Sequence, residues 1–298
     1  RSVILARILD GPVVKRQSGV IEGMSGSPVY IGGKLVGAIA YGWQFSKEPI
    51  VGIQPIEYML QAWQSGPAEE AAVSASVTLP RPIVVGGKQI SRVRALPASA
   101  QGKEQPGAMS LAPLGGLLQV SGLNRRASER LGQELAKFGV RVAEGAAGGS
   151  KPDLQTALVP GGSVGVQLVR GDIDISGLGT VTYVEGNKIL AFGHPMFEFG
   201  EIDLPMTGGY VYDILPNVLS SFKLMAATKP VGRVYRDHSS AIAGEIKKSA
   251  EMLPVTIEVR DRGGAWRKYS LEVIRHRELL PVLVAMSTLT VVDEARAR

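Results

Sequence analysis

The chain has 298 residues, of which 45% are hydrophobic and 20% are charged, a balance typical of a folded globular protein. It has no cysteine, which excludes disulfides, thiol catalysis and thiolate metal sites. The basic residues behind the net charge of +6 are scattered, so we predict no nucleic-acid partner. Abundant glycine (37 residues) and few aromatic residues favour many short strands joined by tight turns, and therefore a mainly β fold with a few helices.

Residues 1–63 predict β structure that ends in a short helix. The segment 3–6 is apolar and predicts the first strand. The segments 29–31 and 35–41 flank a pair of glycines, which predicts a hairpin. Residues 55–63 have helical spacing, with a proline at a position that suits the first turn.

Residues 64–159 predict a linker and a helical connection. The stretch 64–110 is rich in alanine, serine, proline and glycine, with one predicted strand at 83–85. Within 123–138 the apolar residues fall on one face and the charged residues on the other, which predicts an amphipathic helix. Residues 141–152 are again rich in glycine and alanine and predict a second flexible joint.

Residues 160–298 return to β structure. The apolar run 279–292 is too short and too interrupted to cross a membrane, so we predict a buried terminal helix or strand and no integral membrane segment. The predicted strands share short alternating or apolar patterns and lie at 164–169, 179–184, 189–192, 231–235, 255–259 and 269–274.

The segment Gly23-Met24-Ser25-Gly26-Ser27-Pro28 predicts a nucleophilic serine in a tight turn. The small residues around Ser25 would let its hydroxyl face a substrate, and the N–H groups of Gly23 and Ser25 would form an oxyanion hole. Ser27, two positions on, is the alternative nucleophile. A glycine-serine turn without chemistry is the plainer interpretation of the same residues.

A serine nucleophile needs a base, and the chain has three histidines. His276 lies between two arginines, which favours a surface position. His238 lies in a polar loop, where a structural role in a turn is enough to explain it. His194 follows an apolar strand, between Gly193 and Pro195. We predict His194 as the base, because barrel enzymes hold catalytic groups at such corners.

The third member of a triad would be a carboxylate that orients the histidine. Asp10 follows the first predicted strand and precedes the serine segment, and Asp237 is the competing candidate. Either one could equally be an ordinary loop aspartate.

Metal and nucleotide chemistry find little support in the sequence. His194, Glu198, Glu201 and Asp203 could be drawn as ligands, but their spacing matches no known metal site. The glycine-rich segment 161–165 lacks the lysine of a phosphate-binding loop. We therefore predict no metal and no cofactor.

Three stretches resemble the SpoIVB peptidases, a family of serine peptidases in the trypsin-like clan: residues 18–30, 179–194 and 232–244. The resemblance implies a trypsin-like double β-barrel. The family order is histidine, aspartate, serine, whereas the order here is Asp10, Ser25, His194. We therefore expect circularly permuted halves. Residues 1–63 would be the half carrying the nucleophile, 64–159 the connection, and 160–298 the half carrying the histidine.

The resemblance implies a serine endopeptidase that forms an acyl-enzyme through Ser25, His194 and Asp10, with a protein or peptide as substrate. By the same resemblance the strand ending at Tyr41, Gly42 and Trp43 would pair with the substrate backbone. Gly19 lies near the expected floor of the specificity pocket, and its lack of charge indicates small or apolar side chains in the substrate.

The alternative is a catalytically silent peptidase-like scaffold that binds extended peptides or partner proteins. We expect a bacterial, extracytoplasmic protein, either secreted or held at the cell surface or in the periplasm. Because the sequence starts at Arg1 and enters a strand at once, we expect a processed chain without its signal peptide.

Overall fold

The computed structural model describes residues 2–43, 48–64, 76–96, 105–145, 156–215 and 221–297. Within them the chain forms two β-sheets and four α-helices, so the predicted mainly β class is confirmed. The architecture is consistent with the predicted double β-barrel, and the permutation of its halves stays a prediction.

The first sheet has seven strands in the order β1-β4-β3-β7-β6-β5, with β2 paired to β3. All of its pairs are antiparallel except β6 with β7, which is parallel. The predicted hairpin is confirmed as β2 and β3, whose turn places Gly32 and Gly33 at positive φ. The strands are β1 (Ile4–Arg7), β2 (Pro28–Ile31), β3 (Lys34–Trp43), β4 (Ile50–Pro55), β5 (Ser76–Val85), β6 (Lys88–Ala95) and β7 (Ala108–Pro113).

The second sheet has ten strands in the order β16-β17-β10-β13-β14-β15-β12-β11-β8-β9. A further pairing of β10 with β11 closes the strands between them into a barrel. The main hydrophobic core lies inside and beside this barrel. The strands are β8 (Leu117–Ser121), β9 (Arg141–Glu144), β10 (Ser163–Gly171), β11 (Asp174–Glu185), β12 (Lys188–Ala191), β13 (Gly200–Leu215), β14 (Phe222–His238), β15 (Ala241–Ile246), β16 (Met252–Arg260) and β17 (Trp266–Ile274).

The helices are α1 (Pro12–Lys15), α2 (Ile56–Leu60), α3 (Arg125–Leu135) and α4 (Leu279–Ala297). The predicted helix at 123–138 is confirmed as α3, which begins where the Asn124 side chain accepts a hydrogen bond from Ala127 N at 2.8 Å. The apolar terminal segment is the helical one of the two predicted forms, and α3 and α4 pack together over the second sheet. None of the helices in the described ranges is long and apolar enough to cross a membrane.

The segment 64–159 contains more regular structure than its composition predicts. It supplies β5, β6 and β7 to the first sheet and β8 and β9 to the second. The predicted joint at 141–152 begins with a strand, and residues 146–155 lie outside the described part, as do 65–75 and 97–104 of the predicted linker. The predicted division at 63 and 160 stays a prediction.

Candidate active site

The serine turn lies against strand β11 of the second sheet. Thr180 N donates to the Ser25 carbonyl oxygen at 2.9 Å, and Thr180 Oγ1 donates to the Gly23 carbonyl oxygen at 2.9 Å. Thr182 Oγ1 donates to the Gly26 carbonyl oxygen at 2.7 Å. The turn is therefore fixed on both sides of Ser25 by one strand, and the two sheets meet at the predicted nucleophile.

Tight packing explains the glycine at position 26. Gly26 has φ of +93°, and a Cβ atom there would overlap the Thr180 carbonyl oxygen. Any other residue would strain the backbone and push the turn away from β11. This is the close approach that the small residues of the motif predict.

The predicted base, His194, follows the strand that pairs with β11. Val181 in β11 pairs with Ala191 in β12, and the chain then turns through Phe192 and Gly193, which have φ of +71° and +73°. Two consecutive residues in the left-handed region redirect the backbone sharply, and the non-glycine one costs about 1 kcal/mol or more. The turn places His194 beside the serine turn, because both rest on β11.

Ser25 and His194 line one small, partly open cavity. Its volume of about 10 Å³ can hold one water molecule at most. The exposed fractions are 2% for Ser25 and 1% for His194, so solvent hardly reaches either residue. The lining residues that bear on the chemistry are Ser25, His194, Phe192, Gly115, Gly116 and Leu118.

The His194 ring is held in the tautomer that a general base requires. Nδ1 lies 2.7 Å from the Pro195 carbonyl oxygen, and because a carbonyl can only accept, Nδ1 carries the proton and donates. Nε2 is then the unprotonated nitrogen, and it is buried without a hydrogen-bond partner among the described residues. Burial lowers the pKa of His194 to about 4, against the smaller opposing effect of the Pro195 hydrogen bond, so the ring is neutral at pH 7.

The backbone N–H groups of the serine turn differ in their hydrogen bonds. Met24 N donates to Ile21 O at 3.2 Å and Gly26 N donates to Ile39 O at 2.7 Å. Over the described ranges no hydrogen bond engages the N–H of Gly23 or of Ser25. Their role as an oxyanion hole stays a prediction.

The structure does not bring Asp10 to His194. The Asp10 side chain is 84% exposed, lies 3.8 Å from Lys15 Nζ, and accepts from Gly11 N at 2.6 Å. The Nδ1 position of His194 that a triad carboxylate would occupy is taken by the Pro195 carbonyl. In this arrangement Asp10 cannot orient the imidazole.

The competing carboxylate, Asp237, lies under the loop that follows His194. It is completely buried and accepts hydrogen bonds from Met196 N and Phe197 N, each at 2.7 Å. Burial raises the pKa of Asp237 to about 6, against the opposing effect of these backbone hydrogen bonds. Asp237 bonds to the backbone just after His194 rather than to the ring, so it orders the loop that carries the Pro195 carbonyl.

The prediction that Tyr41, Gly42 and Trp43 offer a free strand edge to substrate is corrected by the structure. Tyr41 and Gly42 pair with β4 on one side, where Tyr41 is opposite Gly52, and all three residues pair with β7 on the other, where Tyr41 is opposite Pro113. The reason is that the glycine- and alanine-rich middle of the chain forms a strand and occupies that edge.

Three residues that the sequence analysis does not single out shape the site. Thr180 and Thr182 hold the serine turn, and their alternation in a predicted strand was the available signal, since it places both side chains on one face. Gly115 lies against the His194 ring, and a Cβ there would overlap the ring atoms. The paired glycines between two leucines at 114–117 mark this close approach.

The other two histidines have structural surroundings. His238 Nδ1 lies 2.8 Å from Ser240 Oγ in a buried turn, in line with the turn role in the sequence analysis. The His276 ring stacks on Phe199 with centroids 4.3 Å apart, so it is packed rather than free on the surface. No group of three or more His, Asp or Glu side chains within the described ranges could hold a metal ion.

Comparison with known proteins bears on the first part of the chain. Residues 1–60 match the family model described as SpoIVB peptidase S55, which confirms the predicted resemblance for the segment that carries Ser25. No curated protein and no solved structure matches the chain. The match indicates a peptidase that acts on protein, and it does not extend to His194.

Proposed function

We propose that the chain is a serine endopeptidase that uses Ser25 as nucleophile and His194 as general base. The observation that carries this proposal is the neutral His194 ring in the same cavity as Ser25, with Nε2 unprotonated and without a hydrogen-bond partner among the described residues. The family match supports the assignment of Ser25, because the matched residues contain the whole serine turn.

The proposed reaction requires the Ser25 hydroxyl to come within hydrogen-bond reach of His194 Nε2, which has no partner among the described residues. His194 Nε2 takes the proton of the Ser25 hydroxyl, and Oγ attacks the carbonyl carbon of the scissile peptide bond. The N–H groups of Gly23 and Ser25 bind the oxyanion. The imidazolium then gives its proton to the leaving amine, and an acyl-enzyme remains. Water attacks the acyl group with His194 again as base, which releases the carboxylate and restores Ser25.

The imidazolium has an unusual partner. A carboxylate on Nδ1 would stabilise its positive charge, whereas the Pro195 carbonyl supplies only a dipole. Asp237 contributes through the backbone of residues 196 and 197, which it holds in place. We infer that Asp237 acts as the positioning carboxylate of this site, in place of Asp10.

A fluorophosphonate probe on the full chain tests the nucleophile. We expect the probe to label the wild type and Ser27→Ala, but not Ser25→Ala. Ser27 is the matched control because its hydroxyl donates to the Met24 carbonyl oxygen at 2.7 Å and is already engaged. Labelling that persists after Ser25→Ala would overturn the assignment, and His194→Ala should abolish labelling as well.

A further inference from the structure

Strand β7 and the residues that follow it, which end at the cavity, lie antiparallel to β3, as a bound peptide would lie along a strand of a protease. Strand β7 is antiparallel to the end of β3, with Ala112 opposite Gly42 and Pro113 opposite Tyr41. One residue further on, Leu114 N donates to the Ala40 carbonyl oxygen at 2.8 Å. This is the strand to which the sequence analysis assigns substrate pairing, and antiparallel addition to a strand is a general mode of peptide binding.

The side chain of Leu114 occupies a pocket beside this strand. A Cβ atom built on Gly42 would lie 2.6 Å from Leu114 Cδ2 and 3.5 Å from Val20 Cγ1, so the leucine fills the space left open by the glycine. Leu114 is 8% exposed. Val20 borders the same space, and it directly follows Gly19, which the sequence analysis places near the floor of the specificity pocket.

The residues after Leu114 reach the chemical groups. Gly115 and Gly116 line the cavity together with Ser25 and His194. Gly115 is so close to His194 that a side chain on it would overlap the ring. The peptide bond between Leu114 and Gly115 therefore lies between the filled pocket and the catalytic pair.

We propose that residues 112–115, which follow the last residue of β7 paired with β6, occupy the peptide groove of the Ser25 site as a built-in substrate mimic, with Leu114 in the specificity pocket. The proposal rests on the proposed function and deepens it in two ways. External substrates must displace this segment, and the preferred residue before the scissile bond is leucine or an apolar side chain of similar size. The segment also contributes to the burial of His194, because Gly115 lies against its ring.

The test compares the wild type with Leu114→Ala, using a peptide copied from residues 112–114, Ala-Pro-Leu, as its aminomethylcoumarin amide. Shortening the side chain weakens the internal segment as a competitor of the substrate, so we expect KM to fall and kcat to change little. The expected fall in KM is about 10- to 100-fold, which corresponds to the free energy of burying one leucine side chain. Leu131→Ala, the same truncation at a buried position in α3, controls for general loss of stability and should leave KM unchanged.

Substrate preference gives a second readout that needs no variant. The wild type should cleave the Ala-Pro-Leu amide with at least about tenfold higher kcat/KM than Ala-Pro-Lys, since the pocket holds leucine. Equal or higher activity on the lysine peptide would overturn the proposal. An unchanged KM in a Leu114→Ala variant that circular dichroism shows to be folded would also overturn it.

The experiments distinguish failure of the built-in mimic from failure of the peptidase assignment. If the fluorophosphonate labels Ser25 but neither KM nor the leucine preference behaves as expected, only the built-in mimic is refuted. If neither the wild type nor Leu114→Ala is labelled, the peptidase assignment itself is refuted. Faster labelling of Leu114→Ala than of the wild type and Leu131→Ala would support both.

Discussion

Two buried groups beside the site, His194 and Asp237, should give stability opposite dependences on pH. Burial lowers the pKa of His194 from 6.5 to about 4 and raises the pKa of Asp237 from 3.8 to about 6. Between about pH 4 and pH 6 the folded protein keeps His194 neutral and Asp237 protonated. The unfolded chain has the reverse, with a protonated histidine and an ionised aspartate.

The sign and size of each effect follow from proton linkage. For His194 the unfolded state binds the extra proton, so the free energy of unfolding rises with pH, by about 3 kcal/mol between the two pKa values. For Asp237 the folded state binds the extra proton, so the free energy of unfolding falls as pH rises to about 6, also by about 3 kcal/mol. The windows overlap, and the two contributions largely cancel in the wild type.

Single substitutions should remove this cancellation. Urea unfolding of His194→Gln at pH 4, 5, 6 and 7 should show stability falling as pH rises to 6, by about 3 kcal/mol relative to the wild-type curve. Asp237→Asn should show the opposite pH dependence, with a free energy of unfolding that rises by a similar amount, relative to the wild-type curve, up to pH 6.5. The double variant should again run parallel to the wild type, although its overall stability will be lower.

The comparison uses changes with pH within each variant, so a constant loss of packing or hydrogen bonding does not affect it. Asp10→Asn removes an exposed carboxylate and serves as the control, with a curve expected to follow the wild type. If the single variants at positions 194 and 237 both stay parallel to the wild type within about 0.5 kcal/mol, the linkage argument is wrong.

Three further predictions concern hydrogen bonds and packing, two at the site and one away from it. Thr182→Val removes the hydrogen bond to the Gly26 carbonyl, which should cost about 1–3 kcal/mol in urea unfolding and slow fluorophosphonate labelling. Gly26→Ala should lose labelling altogether, because the new methyl group overlaps the Thr180 carbonyl; unchanged labelling would contradict the packing described. Trp63→Phe loses the hydrogen bond from Nε1 to the Ile189 carbonyl and should lower stability by about 1 kcal/mol without changing the labelling rate.

The sequence alone predicted those features whose backbone shape depends only on neighbouring residues. The glycines around Ser25 and the glycine-proline corner at His194 report backbone shapes that those residues impose wherever they lie. The strand patterns that flank them place both residues at strand ends. Helix α3 was predictable for the same reason, since its apolar face repeats along a single segment.

Partners set by strand pairing could not be predicted in this way. Asp237 reaches the loop after His194 because it lies opposite Gly200 in the β13–β14 pair, and nothing in either strand alone specifies that register. Asp10 is nearer to Ser25 in sequence, but its carboxylate bonds to the next residue and faces solvent. Closeness along the chain was therefore a poor guide to the third group.

Whether Tyr41–Trp43 forms a free strand edge depends on β7, a segment whose sequence has only a weak β pattern. A strand edge is free only if no other strand pairs with it, and β7 comes from the part of the chain that composition favours as a linker. Its pairing is a tertiary effect, because the main-chain hydrogen bonds that form it require no particular side-chain pattern.

The link between β7 and β8 has a mechanical consequence. It consists of residues 114–116, and it joins a strand of the first sheet to a strand of the second. Three residues can reach about 10 Å at most, so the link limits how far these two strands can separate. Because Gly115 of this link lies against the His194 ring, a shift of one sheet relative to the other would change the surroundings of His194.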